Sequence, residues 1–319
     1  MTMVQAGCSL LGAAADEERS WSRDDYQGPV ARWCSGCGDH AVLSAVQRLL
    51  EAEQLAPEQT VFVSGIGCSS RFPHYLTTYG FHGLHGRALP VAMGVKLRRP
   101  DLHVFAVMGD GDCCSIGAAH WIHTVRYNPR IVAIMLDNGV YGLTKNQTSP
   151  TSPKGQKSNT QPRGAWLDAM NPIATTLGVA NVSFVAQTGD WVPDHITETL
   201  RAAFHHRGFA FVRILQRCPQ YTDQLFADAV RDPAKVELLV HDDGIRAPQV
   251  ERLFPNHRTH DPADLGTAFQ LAQPDGRVRL GLFYRNEAVP VYEEVRRTPP
   301  RSADEKVRLL NEELDVYAV

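Results

Sequence analysis

Between residues 39 and 218, short and almost wholly apolar runs alternate with longer amphipathic ones, and this alternation limits the fold more than any other feature of the chain. "TVFVSG", "LHVFAVMGDGD", "RIVAIMLDN", "SFVAQ" and "FAFVRILQRCP" are apolar runs of strand length bounded by turn residues. "DHAVLSAVQRLLEAEQ" sets Val42, Val46, Leu49 and Leu50 at helical spacing. Helices are likewise predicted in "GRALPVAMGVKLRRP", which Pro100 closes, in "CSIGAAHWIHTVRY" and in "VPDHITETLRAAFHHRG". Strands without a polar face are covered on both faces. The expected fold class is therefore α/β, a parallel sheet with helices on both sides. Ligands of such sheets bind beyond the carboxyl ends of the strands. Three stretches, "GIGCSS", "GDGD" and "DNGVYG", fall there.

The flanks differ in texture. Residues 1–28 begin with a mildly apolar segment that has no basic n-region, which predicts an extension rather than a signal peptide. The binding domain is expected over 29–220. Residues 221–319 are polar, with prolines at 233, 248, 255, 262, 274, 290, 299 and 300. Two weak strands ("VRLGLFY", "AVPVYEE") and a terminal helix ("ADEKVRLLNEEL") are predicted there, in a small C-terminal extension lying on a partner. A formal net charge of −3 points to neither nucleic acid nor an anionic membrane, and no apolar run approaches spanning length. Seven cysteines, an odd number in a chain this long, argue against a secreted disulfide framework and for a reducing, cytoplasmic setting.

In "VMGDGDCCSIGAAH" the glycines let backbone approach a ligand, and the helix that follows offers N–H groups suited to phosphate. Acids at an anion site need a cation between them, so Asp110 reads as a ligand of Mg²⁺ or Ca²⁺. The next strand ends in Asp137-Asn138, and adjacent parallel strands would bring Asn138 beside Asp110. Its amide oxygen and a following backbone carbonyl would complete the shell. A GDG, a helix, a strand and a terminal Asn resemble the diphosphate-binding motif of thiamine-diphosphate enzymes, with Asp137 where an asparagine is common.

"WCSGC" admits a dithiol, a disulfide, zinc or an iron–sulfur cluster. The residues before it, "SRDDYQGPVAR", are not the apolar strand that a thioredoxin-like dithiol follows. Cys68 in "GIGCSS" and Cys218 in "RCPQY" sit at predicted strand ends and join Cys34 and Cys37 as four thiols at one sheet edge. Cys113 and Cys114 read as small apolar packing residues, and Cys8 lies in the extension. Zinc and [4Fe–4S] both accept four thiolates. Beside thiamine diphosphate, an electron acceptor has an evident role and a structural zinc does not.

The ordered set WC-x-G-CG-x-H, GIGCS, HGRA-x-P, GDGD, YG-x-T and SPT, over roughly residues 30–220, resembles the β subunit of 2-oxoacid:ferredoxin oxidoreductases. The resemblance implies one [4Fe–4S] cluster on Cys34, Cys37, Cys68 and Cys218, and Mg²⁺ on Asp110, Asn138 and the Val140 carbonyl. It implies thiamine diphosphate lined by Ile66, Gly67, Cys68, Ser69, His85, Gly111, Asp112, Gly142 and Leu143. His40, His120 and His123 are left as helix or core histidines. The implied reaction is oxidative decarboxylation of a 2-oxoacid, with coenzyme A taking the acyl group and ferredoxin the electrons. It could also run in reverse as CO₂ fixation. An α subunit would supply the carboxylate that activates the cofactor, in an α₂β₂ assembly, so no catalytic residue proper is assigned to this chain.

The resemblance to 2-oxoglutarate-using relatives implies that Lys145, just past the cofactor loop, faces the distal carboxylate of the substrate, a sound pairing of ammonium and carboxylate; 2-oxoglutarate is the expected substrate ahead of pyruvate or a branched 2-oxoacid. Two rival readings are a non-redox thiamine enzyme with structural zinc and a non-catalytic metal-binding scaffold.

Overall fold

The computed structural model describes residues 20–296 and 301–317. Cys8 and residues 1–19 of the expected extension lie outside them. The strands are β1 Thr60–Ser64, β2 Tyr79–His82, β3 His103–Gly109, β4 Val132–Asp137, β5 Phe184–Gly189, β6 Ala210–Leu215, β7 Val236–Val240, β8 Asn256–Thr259 and β9 Val278–Arg285. They form one sheet in the order β2-β1-β3-β4-β6-β5-β9-β7-β8. The first six are parallel to one another. β9 runs antiparallel to β5 and parallel to β7, so the sheet is mixed rather than wholly parallel.

Helices α1 Asp39–Ala52, α2 Ala88–Arg98, α3 Ala118–Tyr127, α4 Pro172–Leu177 and α5 Pro193–His205 cover this sheet. On one face Val42, Val46, Leu49 and Leu50 of α1 and Ile196 and Leu200 of α5 pack on Phe62, Phe105, Ile134 and Val212. On the other, Leu89 and Ala92 of α2, Trp121 and Val125 of α3 and Ile173 and Leu177 of α4 pack on Val63, Ala106, Met135 and Phe211. Successive strand residues point to opposite faces, so burial on both sides demands the continuous apolar runs seen in the sequence. Each such side chain contributes roughly 1.5–3 kcal/mol of transfer free energy. Cys113 and Cys114 are buried in the second face as ordinary apolar residues.

Two regions depart from the sequence reading. Within residues 20–28, Tyr26 is fully buried and its hydroxyl shares one proton between the carbonyls of Leu50 and Leu55, both at 3.0 Å, which clamps this segment to the end of α1. Beyond residue 220, "VRLGLFY" is β9, but "AVPVYEE" is not a strand: Pro290 interrupts it and Tyr292–Val295 turn into a helix. β7 and β8 had no counterpart in the sequence reading. Glu237 of β7, buried, receives Arg279 at 2.7 Å and Arg277 at 3.2 Å from the β9 side, and Arg258 of β8 at 3.3 Å. The terminal helix forms over Ala303–Val316. Among the described residues no helix is long and apolar enough to cross a membrane.

Candidate active site

β3 and β4 are parallel neighbours with Gly109 opposite Leu136, so the chain leaves both strands at the same edge and brings Asp110 and Asn138 together. After Gly111 the backbone makes a wide turn over Asp112–Ile116, in which Gly117 N donates to Asp112 O at 3.1 Å. Such π-turns are frequent at functional sites. One cleft opens here. Ile66, Gly67, Cys68, Ser69, His85, Gly111, Asp112, Gly142 and Leu143 all line it, together with Asp110, Asn138 and Val140. Lys145 does not line it. It lies exposed one residue beyond the lining Thr144, in a left-handed backbone conformation at φ 69°.

Asp112 ties the cleft together. Its Oδ1 accepts from Gly86 N at 2.7 Å, Ile66 N at 3.3 Å and His85 Nδ1 at 2.9 Å, joining three separate loops. His85 therefore keeps Nε2 as its free ring nitrogen. Asp112 Oδ2 is buried with no partner among the described residues. A Cβ at Gly65 would sit 2.0 Å from that oxygen, so only glycine fits there. Gly111 is similarly constrained: a Cβ would meet the Tyr141 ring at 2.3 Å, and Tyr141 donates its hydroxyl to Gly111 O at 3.1 Å.

Asp110 is buried, and its Oδ2 accepts from Ser149 Oγ at 2.5 Å and Thr151 Oγ1 at 2.6 Å. Burial, and then the negative charge of Asp137, push its carboxyl up to about 7. Asp137 is itself held by Arg213 at 2.6 Å. Arg213 pairs with Asp137, whereas among the described residues Asp110 has no cationic partner, and carboxylate, amide and carbonyl oxygens are the donor set that Mg²⁺ prefers. The residues fit that ion. Asp110 and the side-chain oxygen of Asn138 would hold it, with the Val140 carbonyl, and a diphosphate would sit against the turn after Gly111.

The four cysteines gather at the adjoining edge. Cys68 is within electrostatic reach of Cys34 and Cys218, and Cys37 of Cys68 and Cys218. All four are free thiols; Cys34 is exposed, Cys37 and Cys68 half-buried and Cys218 buried. Burial, then the charge of Asp39, raises the Cys37 thiol, and the same two causes push Cys68 up to about 12. Such thiols are neutral until a metal's charge converts them to thiolates. Among the described residues no three His, Cys, Asp or Glu side chains converge on one point as ligands of a single ion.

The motifs YG-x-T and SPT contain Tyr141, Ser149 and Thr151, but the sequence assigns no role to them or to Gln216. Ser149 and Thr151 come from the long loop after β4, and no spacing rule ties them to Asp110. Gln216 was within reach of inference: it is a polar residue at the end of an apolar strand, two before Cys218.

Residues 65–214 match the family described as thiamine pyrophosphate enzyme, C-terminal TPP binding domain, and residues 250–298 match the family of the C-terminal part of the pyruvate ferredoxin oxidoreductase beta chain. The chain is 44% identical over 229 residues to 2-oxoglutarate oxidoreductase subunit KorB of Mycobacterium tuberculosis, a match spanning 72% of this chain and 61% of that subunit. It is 39% identical over 276 residues to 2-oxoacid:ferredoxin oxidoreductase 1, subunit beta, of Aeropyrum pernix, covering 85% and 84% of the two chains. A solved structure of 2-oxoglutarate:ferredoxin oxidoreductase from Magnetococcus marinus, with 2-oxoglutarate, coenzyme A and succinyl-CoA bound, superposes with a TM-score of 0.77 at 34% identity, over 94% of this chain and 93% of that one. On its motifs, its sheet and these likenesses together, the chain belongs to the β subunits of the 2-oxoacid:ferredoxin oxidoreductases.

Proposed function

We propose that this chain carries the cofactor and the electron exit of an enzyme that oxidatively decarboxylates 2-oxoglutarate. The balanced reaction is 2-oxoglutarate, coenzyme A and two oxidised one-electron ferredoxins giving succinyl-CoA, CO₂, a proton and two reduced ferredoxins. A sufficiently reducing ferredoxin would drive it in reverse. Thiamine diphosphate supplies the electron sink for loss of CO₂, and one [4Fe–4S] cluster on Cys34, Cys37, Cys68 and Cys218 accepts the electrons singly.

This chain's residues supply the rest. Asp110, Asn138 and the Val140 carbonyl would hold Mg²⁺. Gly67, Ser69, Gly111 and Asp112 shape the diphosphate cradle, and His85 presents Nε2 to it. Ile66, Gly142 and Leu143 wall the cleft, and Lys145 offers an ammonium to the distal carboxylate. The activating carboxylate comes from an α subunit, in an α₂β₂ assembly.

The observation that carries the reading is the double position of Cys68. It lines the cofactor cleft and also stands among the other three thiols. Cys68 would thus serve both groups, the sharing that electron withdrawal from the cofactor requires. Preference for 2-oxoglutarate over pyruvate is supported by Lys145 and by relatives named for that substrate.

The test is a substrate panel on the complex purified with its α subunit under anaerobic conditions. Coenzyme-A-dependent ferredoxin reduction is expected with 2-oxoglutarate and at least tenfold less kcat/KM with pyruvate. Equal rates with both would remove the substrate assignment, and no reduction with any 2-oxoacid would remove the function.

A further inference from the structure

We infer that Gln216 is a positioning residue that links the magnesium site to the cluster, setting the Asn138 amide and donating a hydrogen bond to the Cys37 sulfur. The inference rests on the proposed roles of Asn138 and Cys37.

Gln216 follows β6 directly and is buried. Its backbone N–H donates to Asp137 O at 2.8 Å, which fixes it beside the metal loop. Its side-chain Nε2 donates to Arg217 O at 2.5 Å and to Cys37 Sγ at 3.4 Å. A carbonyl oxygen only accepts, so the amide nitrogen must be on that side and Oε1 on the other. Oε1 then accepts from Asn138 Nδ2 at 2.7 Å. This fixes the second amide in turn, leaving Asn138 Oδ1 on the opposite side, where it accepts from Val140 N at 3.2 Å. A chain of unambiguous donors and acceptors thus runs from the Arg217 carbonyl to the oxygen that would bind Mg²⁺. The brace is stiff. Gly38 N donates to the same Arg217 carbonyl at 3.2 Å, and Asp190 holds Arg217 through its backbone N–H at 2.9 Å and Nε at 2.7 Å.

The arrangement has two consequences. An N–H donor to a cluster sulfur favours the reduced, more negative cluster and raises its potential. Hydrogen bonds in series also polarise one another. With Mg²⁺ bound, the Asn138 Nδ2–H would become a stronger donor to Gln216, and Gln216 a stronger donor to sulfur. Loading the cofactor site therefore raises the readiness of the cluster to accept an electron.

The experiment is an EPR-monitored redox titration of the anaerobic holo-complex, wild type and Gln216→Leu, with and without Mg²⁺ and thiamine diphosphate. The bound cofactor's charge also acts through space, so the readout is the difference between the two proteins. The Leu variant is expected to titrate at a lower midpoint potential and to lose at least half of the wild-type shift on loading. A variant with wild-type values in both states would overturn the inference. Iron and sulfide analysis is run first on the wild type. Absence of iron there would refute the proposed function and not this link in particular. If the variant fails to assemble its cluster, pulsed EPR of the wild-type complex labelled with ¹⁵N-glutamine decides: a ¹⁵N coupling to the reduced cluster supports the bond, and its absence overturns it.

Discussion

The Thr151 hydroxyl stands 2.6 Å from Oδ2 of Asp110 and 2.8 Å from Oδ1 of Asp137. One hydroxyl has one proton, so it satisfies only one of two buried carboxylates at a time, and Ser149 supplies a second proton to Asp110 alone. This pair of hydroxyls holds Oδ2 and leaves the other oxygen of Asp110 for a metal. Thr151→Val removes a hydrogen bond to a charged group, about 1.5–3 kcal/mol. The apparent Mg²⁺ affinity, read from metal-dependent thiamine diphosphate binding, should fall roughly ten- to a hundredfold. Asp110→Asn should abolish that dependence. Wild-type metal affinity in either variant would contradict the assignment.

Gly65 is packed against Asp112 Oδ2 with no room for a methyl group. Gly65→Ala should displace Asp112 and with it the contacts to Gly86, Ile66 and His85. Overpacking of this kind costs about 1–3 kcal/mol. Calorimetry should find a lower melting temperature and cofactor titration weaker binding; a neutral change in both would show the Asp112 junction to be dispensable.

Lys145 is exposed and lies just outside the cleft. Lys145→Ala should raise KM for 2-oxoglutarate by about tenfold, the worth of one charge-assisted hydrogen bond at about 1.5 kcal/mol, and leave kinetics with pyruvate nearly unchanged. An equal effect on both substrates would deny it a role in recognising the distal carboxylate.

His195 sits in the core, with Nδ1 2.8 Å from Thr188 Oγ1, and burial lowers its pKa from 6.5 to about 4. Between pH 6.5 and 4 the unfolded chain binds a proton there that the native state does not, so this group's contribution to stability is lost as pH falls through that window. Asp39, raised to about 7 by burial, acts in the opposite sense: its native carboxyl holds a proton that the unfolded chain releases, so its contribution falls as pH rises from about 4 to 7. The diagnostic quantity is therefore the difference between wild type and His195→Gln. It should move in favour of the variant by about 1.4 kcal/mol per pH unit below 6.5, as read from urea unfolding. A pH-independent difference would mean that His195 does not titrate as described.

The central sheet was legible because β1, β3, β4, β5 and β6 are buried on both faces and keep no polar residue period. β2 was not: all four of its residues are exposed, and its pattern carries no core signal. β7 and β8 were hidden by the prolines around them and by the polar residues of β8, whose place is fixed by pairing with β7 rather than by its own pattern. At the site, strand ends and glycines identify Asp110, Asn138 and Cys68, because backbone topology alone brings them to one edge. Ser149, Thr151 and Gln216 act through side-chain hydrogen bonds that depend on loop conformation, and neither period nor spacing records that.

In the proposed function Cys34, Cys37, Cys68 and Cys218 would hold a cluster that takes electrons from a substrate bound beside Cys68. The most direct measurement is iron, sulfide and zinc analysis of the anaerobic complex, with low-temperature EPR before and after adding 2-oxoglutarate, Mg²⁺ and thiamine diphosphate. Four irons per chain are expected, a number fixed by the cluster type, with a reduced-cluster or organic-radical signal that appears only with substrate. One zinc, no iron and no substrate-dependent signal would contradict it.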